Sequence, residues 1–304
     1  MYTIFTPTFN RAEKLHRVYN SLIGQKNKNF EWLIVDDGST DNTKEIINKY
    51  VEENLIKINY IYQENQGKQA AWNTAITHAK YDYFIGIDSD DEIIVDGLEQ
   101  IDRLLNKISL TNNICAIRFN AISKSTNDIS GTPFKEEGVH SWKKEVFEWN
   151  VRGEKLDVWK TEILKKNLYP IEEKIKFIPE IWLYSTLTSQ GYLFYYSNQK
   201  IRVFWDTEFE NDGDRLTLAS IKKHAVGQSI ARKTLINSCL DMILVNPKIY
   251  IKHLIRYTEC NLYQKSSPFL GICDWKIRLL IILFYPISYY LYKRSQVSQE
   301  LSSV

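Results

Sequence analysis

The stretch that most constrains how this chain folds is YDYFIGIDSDDEI, residues 81–93. An apolar and aromatic run ends at Ile87, and three carboxylates follow within four positions, at Asp88, Asp90 and Asp91. A short apolar run that ends in polar residues is typical of a buried strand in a parallel sheet, and open α/β sheets bind ligands at the carboxyl ends of their strands. Three carboxylates so close together repel one another, which favours a bound cation, and oxygen ligands suit Mg²⁺ or Mn²⁺. The alternative is an acidic turn in which one aspartate caps the next helix.

The segments around this stretch alternate between apolar runs typical of strands and segments with helical spacing. We therefore predict an α/β fold with a mostly parallel sheet flanked by helices. Pro7 is expected to end the first strand. In chain order, the predicted elements are a strand at 2–6, a helix at 11–25, a strand at 30–35, a helix at 41–50, a strand at 57–62, a helix at 67–79, the strand at 83–87, a helix at 95–108 and a strand at 114–120.

Several predicted strands end in polar residues that suit a nucleotide. Thr6, Pro7 and Thr8 follow the first strand, and Asp37 follows the second. Because parallel strands end on the same side of a sheet, these residues are expected to converge with the acidic cluster after Ile87. The Asp37 carboxylate is a candidate acceptor for the N3–H of uracil, and a metal at the cluster is a candidate bridge to a diphosphate. Neither the dinucleotide fingerprint G-x-G-x-x-G nor the P-loop motif occurs, which favours phosphates held by a metal.

Four ordered segments carry a resemblance to a known family: TPTFNR, FEWLIVDDGSTDNT, ENQGKQAAWNTAI and YFIGIDSDD. Their order and spacing resemble those of the family-2 glycosyltransferases, which have the Rossmann-like GT-A fold. The resemblance implies an inverting enzyme that uses a nucleotide sugar, here expected to be a UDP-sugar, with Mn²⁺ or Mg²⁺ as its cofactor. It also implies a role in building bacterial surface polysaccharides such as O-antigen or capsule.

The resemblance also assigns roles to individual residues. It implies that Thr6 and Asp37 contact the base and that Asp88 lies near the ribose. Asp90 and Asp91 are expected to bind the metal. Further residues expected to line the donor site are Pro7, Thr8, Gly67, Lys68 and Asn73.

One position departs from the pattern of the family. Many members carry an arginine just before the asparagine that corresponds to Asn73, whereas this chain has Trp72. A basic contact to the diphosphate is therefore in doubt, and Lys68 is a candidate substitute. The alternative for Lys68 is a solvated residue at the start of a helix.

An inverting transfer needs a carboxylate that takes the proton from the acceptor hydroxyl, and such a base works best in a partly dry site that raises its pKa. The candidate is Glu180, which follows Pro179 at the start of an apolar helix, where the resembling family has an acidic residue. The alternatives are that Glu180 only favours the helix dipole, or that Asp157 is the base. The acidic segment 206–215 is expected to be either a loop that closes over the donor or an exposed loop.

The chain is expected to contain a catalytic domain and a basic tail. Residues 1–214 hold 26 Lys and Arg against 33 Asp and Glu, a net charge of −7, whereas residues 215–304 hold 13 against 4, a net charge of +9. This asymmetry indicates a tail that meets an anionic partner. The predicted domains are a GT-A catalytic domain at 1–215, with a nucleotide-sugar-binding half at 1–120 and an acceptor-side half at 121–215, and a helical extension at 216–304.

The segment 275–294 indicates what that partner is. Its central 14 residues, 279–292, carry no charge, which is short for a membrane span of about 20 residues, and Pro286 interrupts them. Aromatic residues with flanking cations favour an interfacial helix on an anionic leaflet, and the alternative is a helix packed on protein or in a dimer contact. No nucleic acid is expected, because these cations border an aliphatic run rather than a polar groove with stacking aromatic residues.

The expected location is the cytoplasm, at the inner face of the cell membrane. The four cysteines have no spacing typical of a metal site, and no signal peptide precedes the first strand. The expected acceptor is a glycan or a lipid-linked glycan. Trp142 and Trp149 are expected to be core residues rather than a platform for a sugar ring. The alternative function is a non-catalytic nucleotide-sugar-binding or scaffold protein, which the single acid at Glu180 and the presence of Trp72 would suit.

Overall fold

The structure is a computed structural model, and it divides the chain into two compact units. The described residues are 1–108, 111–172, 175–206 and 221–302, with side chains described as far as residue 296. Within these limits, the first unit contains residues 1–141, 149–171 and 191–206, and the second contains residues 142–148, 172–190 and those from 221 onward. The second unit therefore includes two segments that the predicted boundary at 215 placed in the catalytic domain.

The first unit is built on a sheet of nine described strands. The strands are β1 (Tyr2–Thr8), β2 (Phe30–Asp36), β3 (Ile58–Tyr62), β4 (Tyr83–Gly86), β5 (Glu92–Ile93), β6 (Ile114–Ser123), β7 (Gly138–His140), β8 (Lys155–Lys160) and β9 (Leu193–Phe204). Their order is β3-β2-β1-β4-β8-β6-β9-β5, with β7 also beside β9. Strands β1, β2, β3, β4, β6 and β9 run in one direction, and β5, β7 and β8 run in the other. The carboxyl ends of β1, β2, β4 and β9 therefore lie at the same edge of the sheet.

The described part of the first unit contains five helices. In the first of them, the apolar spacing of the sequence explains which face packs inward. Leu15, Val18 and Leu22 are buried on one side of that helix, as a helical repeat requires. The alternating order predicted for the first four strands is confirmed, with boundaries that differ by a few residues. Sequence patterns did not predict β5, β7 or β8. The helices are α1 (Leu15–Ile23), α2 (Thr43–Glu53), α3 (Lys68–His78), α4 (Gly97–Lys107) and α5 (Thr161–Lys165).

Pro7 does not end β1, contrary to the prediction. The strand continues to Thr8, and β4 pairs with β1 only as far as Phe5. The carbonyl of Phe5 accepts a hydrogen bond from the backbone N–H of Ile87 on the β4 side. Pro7, two residues further on, faces the same side beyond the end of that pairing. Because the ladder needs no N–H there, proline is tolerated within the strand.

Aromatic side chains hold α1 and α2 against β2. Tyr19 of α1 stacks on Tyr50 of α2, with ring centroids 3.9 Å apart, and on Trp32 of β2, with centroids 6.1 Å apart. Trp32 is fully buried. Such rings bury large apolar areas and prefer defined contacts, so this cluster fixes both helices relative to the sheet.

The second unit is helical. Trp142 stacks on Tyr184 with centroids 5.5 Å apart. The prediction that Trp142 and Trp149 are core residues is confirmed, since both are buried. Asn246 accepts a hydrogen bond from the backbone N–H of Ile249 and so caps the helix that begins at the next residue. No described helix is long and apolar enough to cross a membrane. The helices are α6 (Ile181–Ser189), α7 (Ala225–Ser238), α8 (Pro247–Tyr263) and α9 (Trp275–Ser302), with a π-helical turn (Lys144–Trp149) and a 3₁₀ turn (Leu240–Leu244).

Helix α7 passes close to the backbone before α6, and Gly227 makes this approach possible. A Cβ atom at this position would lie 1.9 Å from the carbonyl oxygen of Phe177. We expect Gly227→Ala to lower the free energy of unfolding by about 1–3 kcal/mol, because the backbone would have to shift. The matched control is Gly24→Ala, whose Cβ would lie 3.3 Å from the nearest atom at a backbone φ of −74°. Thermal unfolding followed by circular dichroism measures both, and equal shifts for the two variants would contradict the close approach.

Candidate active site

Polar residues from four strand ends meet at the carboxyl edge of the sheet in the first unit. Thr8 ends β1, Asp36 ends β2, and the acidic cluster that starts at Asp88 follows β4. Arg202 lies near the end of β9, which runs parallel to β4 in the sheet. The convergence predicted from the parallel order is therefore present, and β9 adds a cation to it.

Asp37 organises the loop between β3 and α3. Its Oδ1 accepts hydrogen bonds from Gln63 Nε2 at 2.7 Å and from the backbone N–H of Gln66 at 2.9 Å, and its Oδ2 accepts one from the backbone N–H of Gly67 at 2.7 Å. The residue is only 5% exposed. A carboxylate offers about four lone pairs, so these three bonds leave capacity for one further donor, on Oδ2. The contact between Asp37 and a base stays a prediction, and it would have to use this remaining position.

Two glycines allow the loop to reach Asp37. Gly67 has a φ of 97°, a conformation that side chains rarely adopt, and it immediately precedes α3. Gly38 has a φ of 88°, and a Cβ there would lie 2.9 Å from the backbone nitrogen of Asn65. Gly67 was predicted to line the donor site. In this structure its backbone conformation presents its N–H to the Asp37 carboxylate.

The two threonines at the end of β1 differ in their surroundings. Thr6 is fully buried, and its Oγ1 accepts a hydrogen bond from Trp32 Nε1 at 2.9 Å. The contact between Thr6 and a base stays a prediction, and in this structure the Thr6 hydroxyl is bonded to Trp32 in the interior. Thr8 is also buried, but its Oγ1 has no hydrogen-bond partner among the residues that the structure describes. Thr8 and the half-buried Pro7 therefore remain predicted donor-site residues.

Asn73 and Trp72 both serve packing in this structure. The Asn73 amide donates to the carbonyl of Tyr169 at 2.8 Å and accepts from its N–H at 2.9 Å. A place for Asn73 in the donor site stays a prediction, and in this structure both ends of its amide bond to the backbone of Tyr169. Trp72 packs edge-on against Phe5 and Phe84, with centroids 5.8 and 5.1 Å away. The indole that stands in place of the family's arginine thus packs on buried aromatic rings and is itself half-buried.

Asp88 is paired with two cations. Lys68 Nζ lies 2.7 Å from Oδ1, and Arg202 Nη2 lies 3.0 Å from Oδ2. Burial acts to raise the pKa of Asp88, but Lys68 and Arg202 together hold it below its ordinary value. Asp88 is therefore ionised at neutral pH, and Lys68 forms an ion pair rather than standing as a solvated helix start.

Asp91 is a buried partner of Arg202. It is 1% exposed, its Oδ2 accepts from Arg202 Nε at 2.6 Å, and its Oδ1 accepts from the backbone N–H of Trp205 at 3.1 Å. Burial raises the pKa of Asp91, and the Arg202 guanidinium opposes that rise. Metal binding by Asp91 stays a prediction, and in this structure both of its oxygens already accept hydrogen bonds.

Asp90 is the member of the cluster that stays open. Its carboxylate forms no hydrogen bond or ion pair with another side chain in the described part of the chain. Burial and the neighbouring Asp88 raise the pKa of Asp90, while Arg11 and Lys14 oppose the rise. Among the described residues, no group of three or more His, Cys, Asp or Glu side chains is arranged to hold a metal. This still suits a magnesium-type site, because Mg²⁺ commonly uses one or two carboxylates together with substrate phosphates.

Trp205 lies beside the acidic cluster between two cations. The Arg17 guanidinium carbon is 4.0 Å from the centroid of its ring, and Lys124 Nζ is 4.6 Å from it. Its Nε1 donates to Glu92 Oε1 at 2.9 Å. These contacts and its backbone bond to Asp91 place the end of β9 firmly against the cluster.

Asp206, the next residue, is also held. It accepts hydrogen bonds from the Ser125 backbone N–H at 2.9 Å and from the Ser125 hydroxyl at 2.6 Å. Burial acts to raise the pKa of Asp206, but hydrogen bonds from Ser123 and Ser125 lower it to about 2. The rest of the segment predicted as a closing loop, 207–215, lies outside the described residues.

The two candidate bases lie in different units. Asp157 of β8 pairs with Arg118 of the neighbouring β6 at 3.0 Å, and both side chains are almost fully buried within the sheet. Asp157 stays the alternative prediction for the base, and in this structure its carboxylate is paired with Arg118 inside the sheet. Glu180 lies at the start of α6 and is exposed, so the partly dry surroundings predicted for it are not present in this structure.

The sequence of the first unit identifies its family. Residues 3–156, just over half of the 304-residue chain, match the family described as Glycosyl transferase family 2. The chain belongs to glycosyltransferase family 2. It is 32% identical over 143 residues to TuaG of Bacillus subtilis (strain 168), a glycosyltransferase whose name assigns it to teichuronic acid biosynthesis. It is 38% identical over 99 residues to the glycosyltransferase GlyA of Streptococcus pneumoniae serotype 4. These matches cover 46% and 33% of this chain but only 53% and 14% of the relatives.

Solved structures of other glycosyltransferases share the fold over most of the chain. TarS 1-349 of S. aureus in complex with UDP-GlcNAc has a TM-score of 0.64 at 17% identity, covering 92% of this chain and 78% of that one. The mannosyltransferase PcManGT of Pyrobaculum calidifontis, in complex with GDP-Man and Mn²⁺, has a TM-score of 0.52 at 14% identity, covering 98% and 83%. The predicted GT-A fold of this family-2 glycosyltransferase is thereby confirmed.

Arg202 is the residue of this site that the sequence analysis missed. It lies in strand β9, LFYYSNQKIRVF, between two apolar residues and is 6% exposed. Its Nη1 also donates to the carbonyl of Lys155 at 3.2 Å and lies 3.4 Å from a carboxylate oxygen of Glu154. An arginine between two apolar residues, near the end of a strand at a ligand-binding edge, was the available signal, because such a charge needs buried carboxylates nearby.

Replacing Arg202 should make stability depend on pH in a defined way. In Arg202→Met, the buried Asp91 loses its cation, so we expect a loss of about 3–5 kcal/mol in the free energy of unfolding at pH 7.5. The pKa of Asp91 would then lie further above its unfolded value. Between the unfolded and the folded pKa, the folded state holds a proton that the unfolded state has lost. The loss of stability should therefore be largest at neutral pH and should shrink as pH falls towards 5. Urea unfolding at the two pH values measures this.

The matched control is the double variant Arg202→Met/Asp91→Asn, in which the remaining side chain is neutral. It should recover part of the stability at pH 7.5 and lose the pH dependence that the single variant gains. A single variant that is equally destabilised at pH 5 and 7.5 would show that Arg202 acts by packing alone.

Proposed function

We propose that this chain is an inverting, metal-dependent glycosyltransferase that moves a sugar from a UDP-sugar to an acceptor hydroxyl. The observation that carries the proposal is the state of the acidic cluster. Two of its aspartates are satisfied by cations, and Asp90 is left without a side-chain partner among the described residues, at the edge where the strands end. Membership of glycosyltransferase family 2 supports the reaction class. A structural neighbour in complex with UDP-GlcNAc supports the choice of nucleotide.

In this proposal Asp90 holds Mn²⁺ or Mg²⁺ together with the donor diphosphate. When bound, the metal neutralises the charge of the diphosphate as it leaves. Asp88 and Asp91 keep the loop after β4 in place through Lys68 and Arg202, so that the Asp90 carboxylate is positioned before a donor arrives. The complex of PcManGT with GDP-Man and Mn²⁺ supports a metal in a protein of this fold.

Glu180 is the proposed base. It begins an apolar helix at the position where the family places an acid, and it is the candidate that remains once Asp157 is paired with Arg118. Taking the proton from an acceptor hydroxyl, Glu180 allows that oxygen to attack the anomeric carbon on the face opposite the nucleotide. An α-linked donor then gives a β-linked product.

The proposed acceptor is a glycan or lipid-linked glycan used for a bacterial surface polysaccharide. The similarity to TuaG, assigned by name to teichuronic acid biosynthesis, supports this class of product. A lipid-linked acceptor would place the enzyme in the cytoplasm, at the inner face of the cell membrane.

The metal assignment predicts a specific loss in Asp90→Asn. Wild-type protein should melt at a higher temperature with UDP and Mn²⁺ than with either alone, by an amount that corresponds to about 2.7 kcal/mol at a ligand concentration 100 times the Kd. The variant should lose this gain. Asp128→Asn, which changes an exposed aspartate on a loop, is the matched control and should keep it. Thermal shift with UDP, ADP and GDP measures the effect, and a full metal-dependent gain in Asp90→Asn would overturn the assignment.

The base assignment predicts loss of turnover without loss of donor binding. In Glu180→Gln, the release of UDP from a panel of UDP-sugars, with membrane extract as the acceptor source, should fall by about 10²–10⁴-fold. The melting temperature and its response to UDP with Mn²⁺ should stay at the wild-type values, because Glu180 is exposed. Asp157→Asn provides the contrast, since it should mainly lower stability.

Two results would contradict this reading in different ways. Undiminished turnover in Glu180→Gln would mean that another group is the base. Metal-dependent binding of UDP by the wild type, without any turnover across the panel, would favour the non-catalytic nucleotide-sugar-binding protein.

A further inference from the structure

Helix α9 packs on α8 through one face. Ile277, Ile281 and Ser288 are fully buried, and their spacing places them on a single side of the helix. Tyr263 of α8 packs edge-on against Tyr292, with centroids 5.0 Å apart. These contacts define the inner face of α9.

The opposite face of α9 is also apolar, and it is exposed. Trp275 is 64% exposed, Leu283 is 68% exposed and Tyr290 is 62% exposed. Leu279 and Ile282 lie between them and are more than half exposed. These five residues, which we call the outer face, lie about half a turn from the inner face at 3.6 residues per turn. A surface helix of a soluble domain normally carries polar residues there, so an apolar outer face marks an interaction surface.

Charge indicates what covers the outer face. Cations border it at both ends, and the sequence contains no acidic residue between Asp274 and Glu300. A second copy would bring the same cations, and the stretch 275–299 that contains the outer face has no carboxylate to pair with them. An anionic lipid surface provides the opposite charge, and Trp and Tyr side chains favour the boundary between water and lipid. The bordering cations are Lys276, Arg278, Lys293 and Arg294.

We propose that the outer face of α9 inserts into the surface of a membrane that contains anionic lipid. The helix lies in the interface, because its uncharged part, 279–292, would extend only about 21 Å and no described helix is long and apolar enough to cross. The inference rests on the proposed function in one respect: membrane contact would serve to bring the enzyme to a lipid-linked acceptor. Vesicle binding is measured without donor or acceptor, so its failure and the failure of the proposed reaction are distinguishable.

The experiment is sedimentation of the full chain with vesicles. Wild-type protein should bind vesicles of phosphatidylcholine with 30% phosphatidylglycerol at least about tenfold more tightly than vesicles of phosphatidylcholine alone, and added salt should weaken the binding. Leu283→Glu should weaken it by about tenfold or more, because it places a charge in the apolar contact. Lys293→Gln/Arg294→Gln should weaken binding to the anionic vesicles by about tenfold or more and should have little effect on the neutral ones.

Leu55→Glu is the matched control, because Leu55 is 56% exposed in the first unit. It should bind vesicles as the wild type does. Leu283 is exposed, so Leu283→Glu should also keep the wild-type melting temperature and its response to UDP with Mn²⁺, which separates loss of membrane binding from misfolding. Equal binding to both vesicle types would overturn the proposal. So would an absence of binding together with self-association that Leu283→Glu abolishes, because the outer face would then contact a second copy.

Discussion

The acidic edge of the sheet depends on one guanidinium, that of Arg202. It contacts Asp88 and Asp91 from the loop after β4, and it also reaches Glu154 and the carbonyl of Lys155. A buried arginine without carboxylates is unfavourable, and so is a buried carboxylate without a cation. Arg202 therefore requires the aspartates, and the buried aspartate requires Arg202. The strand that carries Arg202 and the loop that carries the aspartates must form together before the site exists.

The three aspartates of one short motif acquire three roles from their surroundings. Asp88 is held ionised by two cations, Asp91 is enclosed and bonded at both oxygens, and Asp90 alone keeps a carboxylate that is open to a ligand. The chemistry of a carboxylate is the same in each case, so spacing within the motif does not decide which one binds a metal. Burial and the nearest cation decide it, because they set how many lone pairs remain and how stable the charge is.

The sequence was sufficient for the features that depend on local pattern. The order of the first strands, the convergence at their carboxyl ends and the family were all predicted, because they follow from apolar spacing and ordered motifs. The roles of single residues were less accessible. Asp91 and Arg202 are 111 positions apart, and Asn73 and Tyr169 are 96 apart. No local pattern reports such partners, which is why the sequence did not show that Asp91 bonds to Arg202 or that Asn73 bonds to Tyr169.

The orientation of helix α9 also could not be predicted from local sequence pattern. An apolar run such as 279–292 has no polar side from which its orientation can be predicted, so the sequence favoured an interfacial helix without indicating which of its residues face outward. Packing on α8 uses Ile277, Ile281 and Ser288, which accounts for one side. Leu283 and Tyr290 stay exposed in the described structure, where a polar residue would cost no packing. Apolar residues that the fold leaves exposed are evidence for contact with a second environment. The cations at both ends of the run indicate that this environment is negatively charged.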